Sequence, residues 1–448
     1  MDRVDFKKYF MDHAEGLRGL MRIPSVFDAN TQCAEYPYGK PSYDALMYMK
    51  NHLEDAGFAV AVYDNKAISA GTGTGKRIDI ASHLDVVEPG NGWDFDPFCG
   101  IIDEKMIYGR GSQDMKTSAW LVFLAIKKLR EEGYPFGKEI RLVYGSDEER
   151  TMEDMRTYVK HAGLPEFAMT PDGYFPMAVG EKGALMWIIR AKYRGIVKSL
   201  EAGVQPNVIA PSAKALIDSQ DEQMIREYMI SREMNGTLTR TPEGIWAEIT
   251  GKSAHASRPE LGHNAASDLV KLIADLWHEK LFEELSEAFG DPYGISGGYD
   301  YDIAPMGKLT SNLGILKLQN GEITGYVDAR YPYGVTSDVL TKKLEKVLSS
   351  FEVSLPYDDP ATYTDPSDPY VKACLDAYRE VSGDDSGPLI SGGVSYSKVF
   401  GHCVSMGPVF PYEENLCHQR NEMYSVDNAV KALEIYYKAI KNLLEVSQ

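Results

Sequence analysis

The most constraining feature of this sequence is a series of short apolar strand patterns, each followed by acidic or histidine side chains. Arg77–His83 is followed by Leu-Asp, Glu139–Gly145 by Ser-Asp-Glu-Glu, and Glu166–Thr170 by Pro-Asp-Gly. Helical patterns separate the strands, and this alternation predicts an open α/β sheet. Ligands bind such sheets at the carboxyl ends of the strands, so we expect these polar side chains to form one site.

The pattern changes after Glu181, where longer strands predict a separate, inserted α+β domain. We expect residues 1–179 and 362–448 to form the α/β domain, residues 180–361 to form the insert, and Pro356–Asp368 to be the return linker. The predicted helices are Val4–Met21, Ser42–Ala56, Lys116–Arg130, Asn264–Trp277, Pro369–Val381 and Asp427–Glu445. The further predicted strands are Gly183–Tyr193, Gly244–Gly251, Glu322–Tyr331 and Cys403–Met406.

Length and charge narrow the class of protein. A chain of 448 residues is too long for one core, so two or three domains are expected. A formal net charge of -19 argues against binding nucleic acid or an anionic membrane. The five cysteines form no CxxC pair, and Met1–Phe10 lacks the apolar core of a signal peptide. No apolar run is long enough to span a bilayer. We therefore expect a cytoplasmic protein with no nucleic-acid or membrane partner.

His83-Leu-Asp85 is a His-x-Asp motif at a strand tip. Positions i and i+2 of a strand face the same side, so Asp85 can hydrogen-bond the His83 ring nitrogen that is not bound to a metal. A single His-x-Asp motif is more often an ordinary surface pair.

The segment from Tyr108 to Lys116 reads Tyr-Gly-Arg-Gly-Ser-Gln-Asp-Met-Lys between a strand and a helix. Gly109 and Gly111 permit a tight turn that directs Asp114 into the cleft. The alternative is that Asp114 is simply the N-cap of the helix, which is a common arrangement.

Asp147-Glu148-Glu149 places three carboxylates at one strand end. Neighbouring carboxylates disfavour one another's ionised forms unless a cation neutralises them. One can bind metal while its neighbour acts as a general base toward water. The alternative is a solvated acidic loop, and for Pro171-Asp172-Gly173 it is a type I turn.

Two histidines stand apart from these strands. His418 lies in Asn415–Glu422, and His255 lies in Gly251–Pro259 within the predicted insert. Taken singly, each is more typical of a structural histidine than of a ligand or catalyst.

In this order, the motifs resemble those of the di-zinc exopeptidase family of aminoacylases, carboxypeptidases and dipeptidases. Asn91–Phe98 and Val179–Gly183 resemble its bacterial dipeptidase V branch, which includes Xaa-His dipeptidases. The resemblance covers nearly the whole chain. It implies a zinc-exopeptidase-like catalytic α/β domain, with the inserted α+β domain as a lid.

The resemblance also implies a role for each motif residue. Five residues would bind two metal ions. Asp114 would be shared by both ions, His83 and Asp172 would complete one site, and Glu149 and His418 would complete the other. Glu148 would be the general base, Asp85 would orient His83, and His255 would stabilise the oxyanion. The substrate would contact Asn207, Arg330, Gly392, Gly393 and Ser395.

Arg330 has a second interpretation. Its guanidinium suits a substrate carboxylate, because a planar fork binds a planar anion at two points. The alternative is a strand-face arginine paired with Asp328.

The chemistry of the ligand set is consistent on its own terms. Mixed histidine and carboxylate ligands suit zinc, manganese or cobalt better than calcium or magnesium. We therefore expect two zinc ions, with manganese or cobalt as alternatives, and a water between them that loses its proton to Glu148.

The chain departs from the family pattern at three places: Met115-Lys116-Thr117, the Gly392–Lys398 segment and Ser82 before the His-x-Asp motif. None is a predicted ligand, so we expect activity to survive and specificity to differ.

Three functions fit these motifs. The first is a monomeric metallodipeptidase acting on small peptides. The second is an N-acyl-amino-acid deacylase or desuccinylase, which would share every ligand. The third is a family member that binds without turnover, which the complete ligand set and Glu148 disfavour.

Overall fold

A computed structural model describes residues 3–447. Met1, Asp2 and Gln448 lie outside it, so the N-terminal segment considered above is described only from its third residue. Packing divides the chain into two units. The first unit comprises the chain up to Glu181 and from Tyr363 onward, and the second unit is Lys182–Thr362.

The helices of the described chain are, in order, α1 (Arg3–Asp12), α2 (Ala14–Met21), α3 (Lys40–Asp55), α4 (Lys116–Glu131), α5 (Glu153–Ala162), α6 (Glu222–Ser231), α7 (Ala265–Trp277), α8 (Lys280–Phe289), α9 (Ser337–Val347), α10 (Pro369–Ser382), α11 (Ser397–Phe400) and α12 (Val426–Glu445). The strands are β1 (Val60–Tyr63), β2 (Ala67–Thr72), β3 (Arg77–His83), β4 (Ile101–Ile102), β5 (Met106–Tyr108), β6 (Glu139–Gly145), β7 (Phe167–Thr170), β8 (Ala178–Glu181), β9 (Gly183–Lys192), β10 (Val197–Ala202), β11 (Ser212–Ile217), β12 (Gly236–Thr241), β13 (Gly244–Thr250), β14 (Asp302–Ile303), β15 (Gly307–Lys308), β16 (Thr310–Gln319), β17 (Glu322–Tyr331), β18 (Glu352–Asp359), β19 (Thr362–Tyr363), β20 (Leu389–Ser391), β21 (Cys403–Ser405) and β22 (Met423–Ser425).

The first unit is built on a mixed sheet that confirms the predicted α/β class. Its strand order runs β1-β2-β6-β3-β7-β21-β8. The central strands β6, β3 and β7 are parallel, and His83 pairs with Gly145 at the shared carboxyl edge. These strands are largely buried, as expected for parallel strands whose sheet is covered by helices. Helix α4 is buried along nearly its whole length and packs against α12.

A small antiparallel sheet in the same unit has the order β22-β5-β4. Met423 pairs with Tyr108 in this sheet. The pairing joins the chain just after residue 422 to the chain just before residue 109, two segments that are far apart in sequence.

The second unit contains an eight-stranded sheet with the order β12-β13-β11-β10-β16-β17-β9-β18. Its apolar face packs against α7 and α8 in a separate hydrophobic core. Asn264 caps α7 by accepting hydrogen bonds from Ala266 N and Ser267 N, at 2.9 and 3.3 Å. The fold is thus an α/β domain interrupted by an α+β domain.

The structure corrects two predicted elements. The single helix Val4–Met21 is interrupted at His13, so that α1 and α2 are separate. The return linker Pro356–Asp368 is partly strand, because β18 pairs with β9 as far as Asp359. In residues 3–447, no helix combines the length and apolar character needed to cross a membrane.

Candidate metal centre

Three parallel strands deliver their carboxyl-terminal side chains to one place. His83 is the last residue of β3, Glu148 and Glu149 follow β6, and Asp172 follows β7. His83 Nε2 lies 3.9 Å from Glu148 Oε2 and 3.8 Å from Asp172 Oδ2. The shared carboxyl edge of the sheet therefore gathers the polar side chains that follow separate strands in the sequence.

Asp114 reaches the same place from the turn between β5 and α4. Gly109, at φ 128°, permits this turn, because a Cβ there would lie 2.7 Å from the Pro97 carbonyl oxygen. The Asp114–Met115 peptide bond is cis. Lys116 then opens α4, and its Nζ donates to the Ile23 carbonyl at 2.6 Å.

The two carboxylate oxygens of Asp114 face different histidines. Oδ1 lies 3.1 Å from His83 Nε2, and Oδ2 lies 3.1 Å from His418 Nε2. His418 Nε2 is also 3.1 Å from Glu149 Oε2. A carboxylate between two imidazoles has the arrangement expected of a ligand shared by two cations.

Asp85 contacts both sides of the cluster. The His83 ring meets the Asp85 backbone carbonyl, with Nδ1 at 3.0 Å, whereas the Asp85 carboxylate is 3.6 Å away. The carboxylate instead accepts hydrogen bonds from the backbone N–H groups of Glu148 and Glu149, at 3.3 and 3.1 Å. The ring contact is thus made through the main chain of Asp85, not the side chain proposed from the His-x-Asp spacing.

Burial and mutual repulsion disfavour ionised carboxylates in this cluster. Burial raises the pKa of Glu148 well above its usual range, and the nearby charges of Glu149, Asp172 and Asp114 raise it further. Burial and Asp114 raise the pKa of Glu149. The same two causes raise the pKa of Asp172 to about 7. Cations placed among these groups would remove that repulsion.

The His83 and His418 imidazoles offset part of the repulsion between these carboxylates. Burial opposes the charged form of His83, but the nearby carboxylates of Asp114 and Asp85 raise its pKa overall. Hydrogen bonds with Asp114 and Glu149 raise the pKa of His418 to about 11. Both shifts favour the protonated imidazoles among these carboxylates, and a bound metal ion would replace the proton on the ring nitrogen that faces them.

The donor set fits a transition-metal ion. Ligand atoms of His83, Asp114 and Glu149 all lie within 4.8 Å of one another. Imidazole nitrogens and carboxylate oxygens are the ligands expected for zinc, manganese or cobalt. The composition, closeness and excess negative charge of the cluster therefore suit a metal centre.

Three of the predicted site residues lie in the second unit. Arg330 is buried on β17, and its Nε and Nη2 bind the Asp328 carboxylate at 3.0 and 2.9 Å. The backbone carbonyl oxygen of Asn207 accepts a hydrogen bond from Ala256 N, at 2.9 Å. His255 Nδ1 lies 2.7 Å from Ser257 Oγ, and burial followed by Arg330 lowers the His255 pKa. The unit thus brings His255, Arg330 and Asn207 into one region.

The predicted substrate loop, Gly392–Lys398, belongs to the first unit. Ser395 is buried, and both its backbone N–H and its hydroxyl bind the Glu181 carboxylate, at 3.0 and 2.5 Å. Gly393 N donates to Ser391 Oγ at 2.9 Å. Tyr396 contacts the cluster, since its ring packs edge-on against His83 with centroids 6.2 Å apart.

Two buried acidic residues near the cluster were not predicted from the sequence. Asp154 accepts hydrogen bonds from Ser146 N and Asp147 N, at 2.6 and 2.8 Å, beneath the acidic strand tip. Glu422 binds the turn that carries Asp114. The only local signal for Glu422 is its place four residues after His418, in the segment already singled out.

Comparison with known proteins identifies a family. The family described as "Peptidase family M20/M25/M40" matches residues 80–442. A "Putative dipeptidase" of Staphylococcus epidermidis is 29% identical over 450 residues, covering 95% of this chain and 96% of that protein. A "Beta-Ala-Xaa dipeptidase" of Lactobacillus delbrueckii subsp. lactis is 28% identical over 447 residues, covering 95% of each chain. A solved structure of the di-peptidase Dug1p of Saccharomyces cerevisiae shares the fold, with a TM-score of 0.60 and 14% identity, and the match covers 100% of this chain and 99% of that one.

Proposed function

This chain belongs to peptidase family M20/M25/M40, and from that premise we propose that it is a metal-dependent dipeptidase. It hydrolyses the amide bond of dipeptides, as the names of its relatives indicate for those proteins. The observation that carries this proposal is Asp114, whose two oxygens face His83 and His418, each at 3.1 Å, with the Glu148 and Asp172 carboxylates near His83 and the Glu149 carboxylate near His418.

Two zinc ions are the proposed occupants, with manganese or cobalt as alternatives. Asp114 would be shared. His83 and Asp172 would hold one ion, and Glu149 and His418 would hold the other. This division follows the distances, because His83 Nε2 is 3.8 Å from Asp172 Oδ2 and His418 Nε2 is 3.1 Å from Glu149 Oε2.

The bound ions would supply Lewis-acid chemistry that makes water more acidic and polarises the substrate carbonyl. Glu148 is the proposed general base. Its carboxylate takes a proton from the attacking water and returns it to the amine nitrogen that leaves. Asp85 holds the Glu148 and Glu149 backbone N–H groups, so it orients the base and a ligand together.

Residues of the second unit serve the same reaction in this proposal. His255 stabilises the negative oxygen that develops on the carbonyl, since a donor at that position acts mainly on the transition state. Arg330 binds the free carboxylate of the dipeptide, and Asn207 contacts the substrate. Gly392, Gly393 and Ser395 contribute the loop beside the substrate.

The cellular setting is part of the proposal. All five cysteines are free, two of them buried, which suits a reducing compartment such as the cytoplasm. We propose that the protein acts as a monomer, and sedimentation of the purified protein tests that point.

The decisive experiment is a substrate panel with metal control. Xaa-His and β-Ala-Xaa dipeptides are assayed beside N-acetyl and N-succinyl amino acids, before and after a chelator, and again after zinc, manganese or cobalt is returned. Cleavage of dipeptides that disappears with chelator and returns with metal supports the proposal. Preference for N-acyl amino acids would make the protein a deacylase. Metal binding with no cleavage of any substrate would make it a non-catalytic member of the family.

A further inference from the structure

His418 differs from the other proposed ligands in the part of the backbone that carries it. The others end a strand, follow one within a few residues or precede α4, whereas His418 lies in a long loop between β21 and β22. Its side chain is 54% exposed. Both His418 and Asn421 have left-handed backbone angles, at φ 62° and 58°. Left-handed angles are uncommon in residues other than glycine, although His and Asn adopt them more readily than most. The exposed imidazole therefore depends for its position on how the loop is attached to its neighbours.

Glu422 supplies the most extensive of these contacts. Its Oε2 accepts hydrogen bonds from Arg110 Nη1 and Gly111 N, at 2.7 and 3.2 Å. Its Oε1 accepts from Gln113 N and Asp114 N, at 2.8 and 3.1 Å. All four partners are donors, and the carboxylate is fully buried. One side chain of the His418 loop thus binds the whole turn that carries Asp114.

Gln113 forms a second link between the same two segments. Its Oε1 accepts from Leu416 N at 2.8 Å, and its Nε2 donates to the Glu414 carbonyl at 3.1 Å. These bonds lie before His418 in the chain, whereas Glu422 lies after it. The pairing of Met423 with Tyr108 extends the contact into the small sheet. The loop is therefore fastened to the Asp114 turn on both sides of His418.

From this arrangement we infer that Glu422 is a positioning residue for the metal centre. It holds the His418 loop against the Asp114 turn, so that the His418 imidazole lies beside the Asp114 and Glu149 carboxylates before metal binds. The inference rests on the proposed function, because it assigns Glu422 to the ion held by Asp114, Glu149 and His418. Groups that orient metal ligands typically change metal affinity about 10–100-fold when they are lost.

Glu422→Gln is the direct test, because it keeps the shape and replaces an acceptor oxygen with an NH2 group that faces N–H donors. Zn²⁺ is titrated calorimetrically into chelator-stripped protein, and the dissociation constant of each site is measured. We expect one of the two Zn²⁺ affinities to fall about 10–100-fold. Excess Zn²⁺ should restore most of kcat, which a general structural defect would not allow.

Asp79→Asn is the matched control. Asp79 is also a buried carboxylate of the first unit, bound by Tyr158 OH at 2.8 Å and by Arg77. It lies four residues before His83 on β3, which is about 13 Å along a strand. Its loss should lower stability and leave both Zn²⁺ affinities unchanged.

Two further variants separate this inference from the proposed function. Gln113→Ala removes the second link and should weaken Zn²⁺ binding at the same site. If Glu422→Gln does not fold, the Zn²⁺ affinity of Gln113→Ala tests the positioning role instead. Reduced affinity in His418→Ala with wild-type affinity in both Glu422→Gln and Gln113→Ala would overturn the positioning role alone. Wild-type Zn²⁺ affinity in His418→Ala would contradict the proposed metal centre, and the inference with it.

Discussion

The Asp85 carboxylate accepts a hydrogen bond from the backbone N–H of Glu148, at 3.3 Å. This contact joins the tip of β3 to the tip of β6, and the second Asp85 oxygen extends it to Glu149 N at 3.1 Å. The Glu148 and Glu149 side chains therefore start from a main chain that is fixed by one buried residue. The proposed base, Glu148, and the proposed ligand, Glu149, can be changed separately, because the two roles are assigned to different side chains.

Glu148→Gln should bind metal at the wild-type stoichiometry and lose turnover about 10²–10⁴-fold. The physical reason is that the amide cannot take a proton from water, while the proposed ligands remain. Metal content by atomic emission and kcat on one dipeptide are the measurements. Glu149→Gln is the matched control and should lose metal. If metal content instead collapses in Glu148→Gln and persists in Glu149→Gln, the two roles must be exchanged.

His255→Ala should lower kcat about 10²–10³-fold without changing metal stoichiometry. The substitution removes a donor proposed to act on the transition state, and His255 is not a proposed ligand. His278→Ala is the control, since His278 is an exposed histidine of the same unit that pairs with Glu283 at 3.3 Å. An unchanged kcat in His255→Ala would remove the oxyanion role.

Arg330 should make the enzyme distinguish a dipeptide from its C-terminal amide. Asp328 occupies the Nε and Nη2 edge of the guanidinium, so the Nη1 and Nη2 edge is the one that can receive a substrate carboxylate. Loss of a charge-assisted hydrogen bond costs about 1.5–3 kcal/mol, which is roughly 10–150-fold in kcat/KM.

The test compares kcat/KM for the acid and the amide in wild type, Arg330→Ala and Arg330→Lys. We expect the preference for the acid to vanish in Arg330→Ala and to be weakened in Arg330→Lys, because a point charge lacks the fork. A preference that persists in Arg330→Ala would assign the carboxylate to another group, with Lys398 and the Gly392–Gly393 backbone the next candidates.

Asp79 should make stability depend on pH in a defined direction. Burial raises the pKa of Asp79 to about 6 from the value of 3.8 expected when unfolded. Between these values the folded state holds the proton that the unfolded state releases, so stability falls as pH rises. The total is up to about 3 kcal/mol. Asn cannot ionise, so the stability difference between wild type and Asp79→Asn should shrink between pH 4 and pH 7.

Urea unfolding of both proteins at the two pH values measures this difference. Tyr158→Phe is the matched control. It removes the hydrogen bond that Tyr158 OH donates to Asp79 and keeps the carboxyl group, so its pH dependence should be at least as large as that of wild type. A difference that stays constant or grows toward pH 7 for Asp79→Asn would contradict the raised pKa.

Much of the fold and of the ligand cluster follows from short-range patterns in the sequence. β3, β6 and β17 have the predicted bounds. Polar residues directly after parallel strands must meet at one edge, so the gathering of His83, Glu149 and Asp172 follows from topology. Asp114 required the motif order as well, because a turn before a helix is by itself typical of an N-cap.

The remaining features depend on contacts between distant segments. Glu422 is one acidic residue in a polar loop until its four donors, from Arg110 to Asp114, are placed around it. The predicted return linker contains Pro356, yet this stretch pairs at the edge of a sheet, where a missing N–H is tolerated. Likewise, the His-x-Asp spacing indicates that Asp85 serves His83 but not that its main-chain carbonyl makes the contact.

The wide separation of the ligands along the chain also sets when a functional centre can exist. Roughly 250 residues lie between Asp172 and His418, and a ribosome adds about 5–20 residues per second. For roughly 10–50 s of synthesis, the nascent protein contains the acidic residues that follow the strands but does not yet contain His418 or Glu422. If His418 is the proposed ligand, peptide hydrolysis can begin only after its loop is made, and a chain that ends before His418 is expected to be inactive.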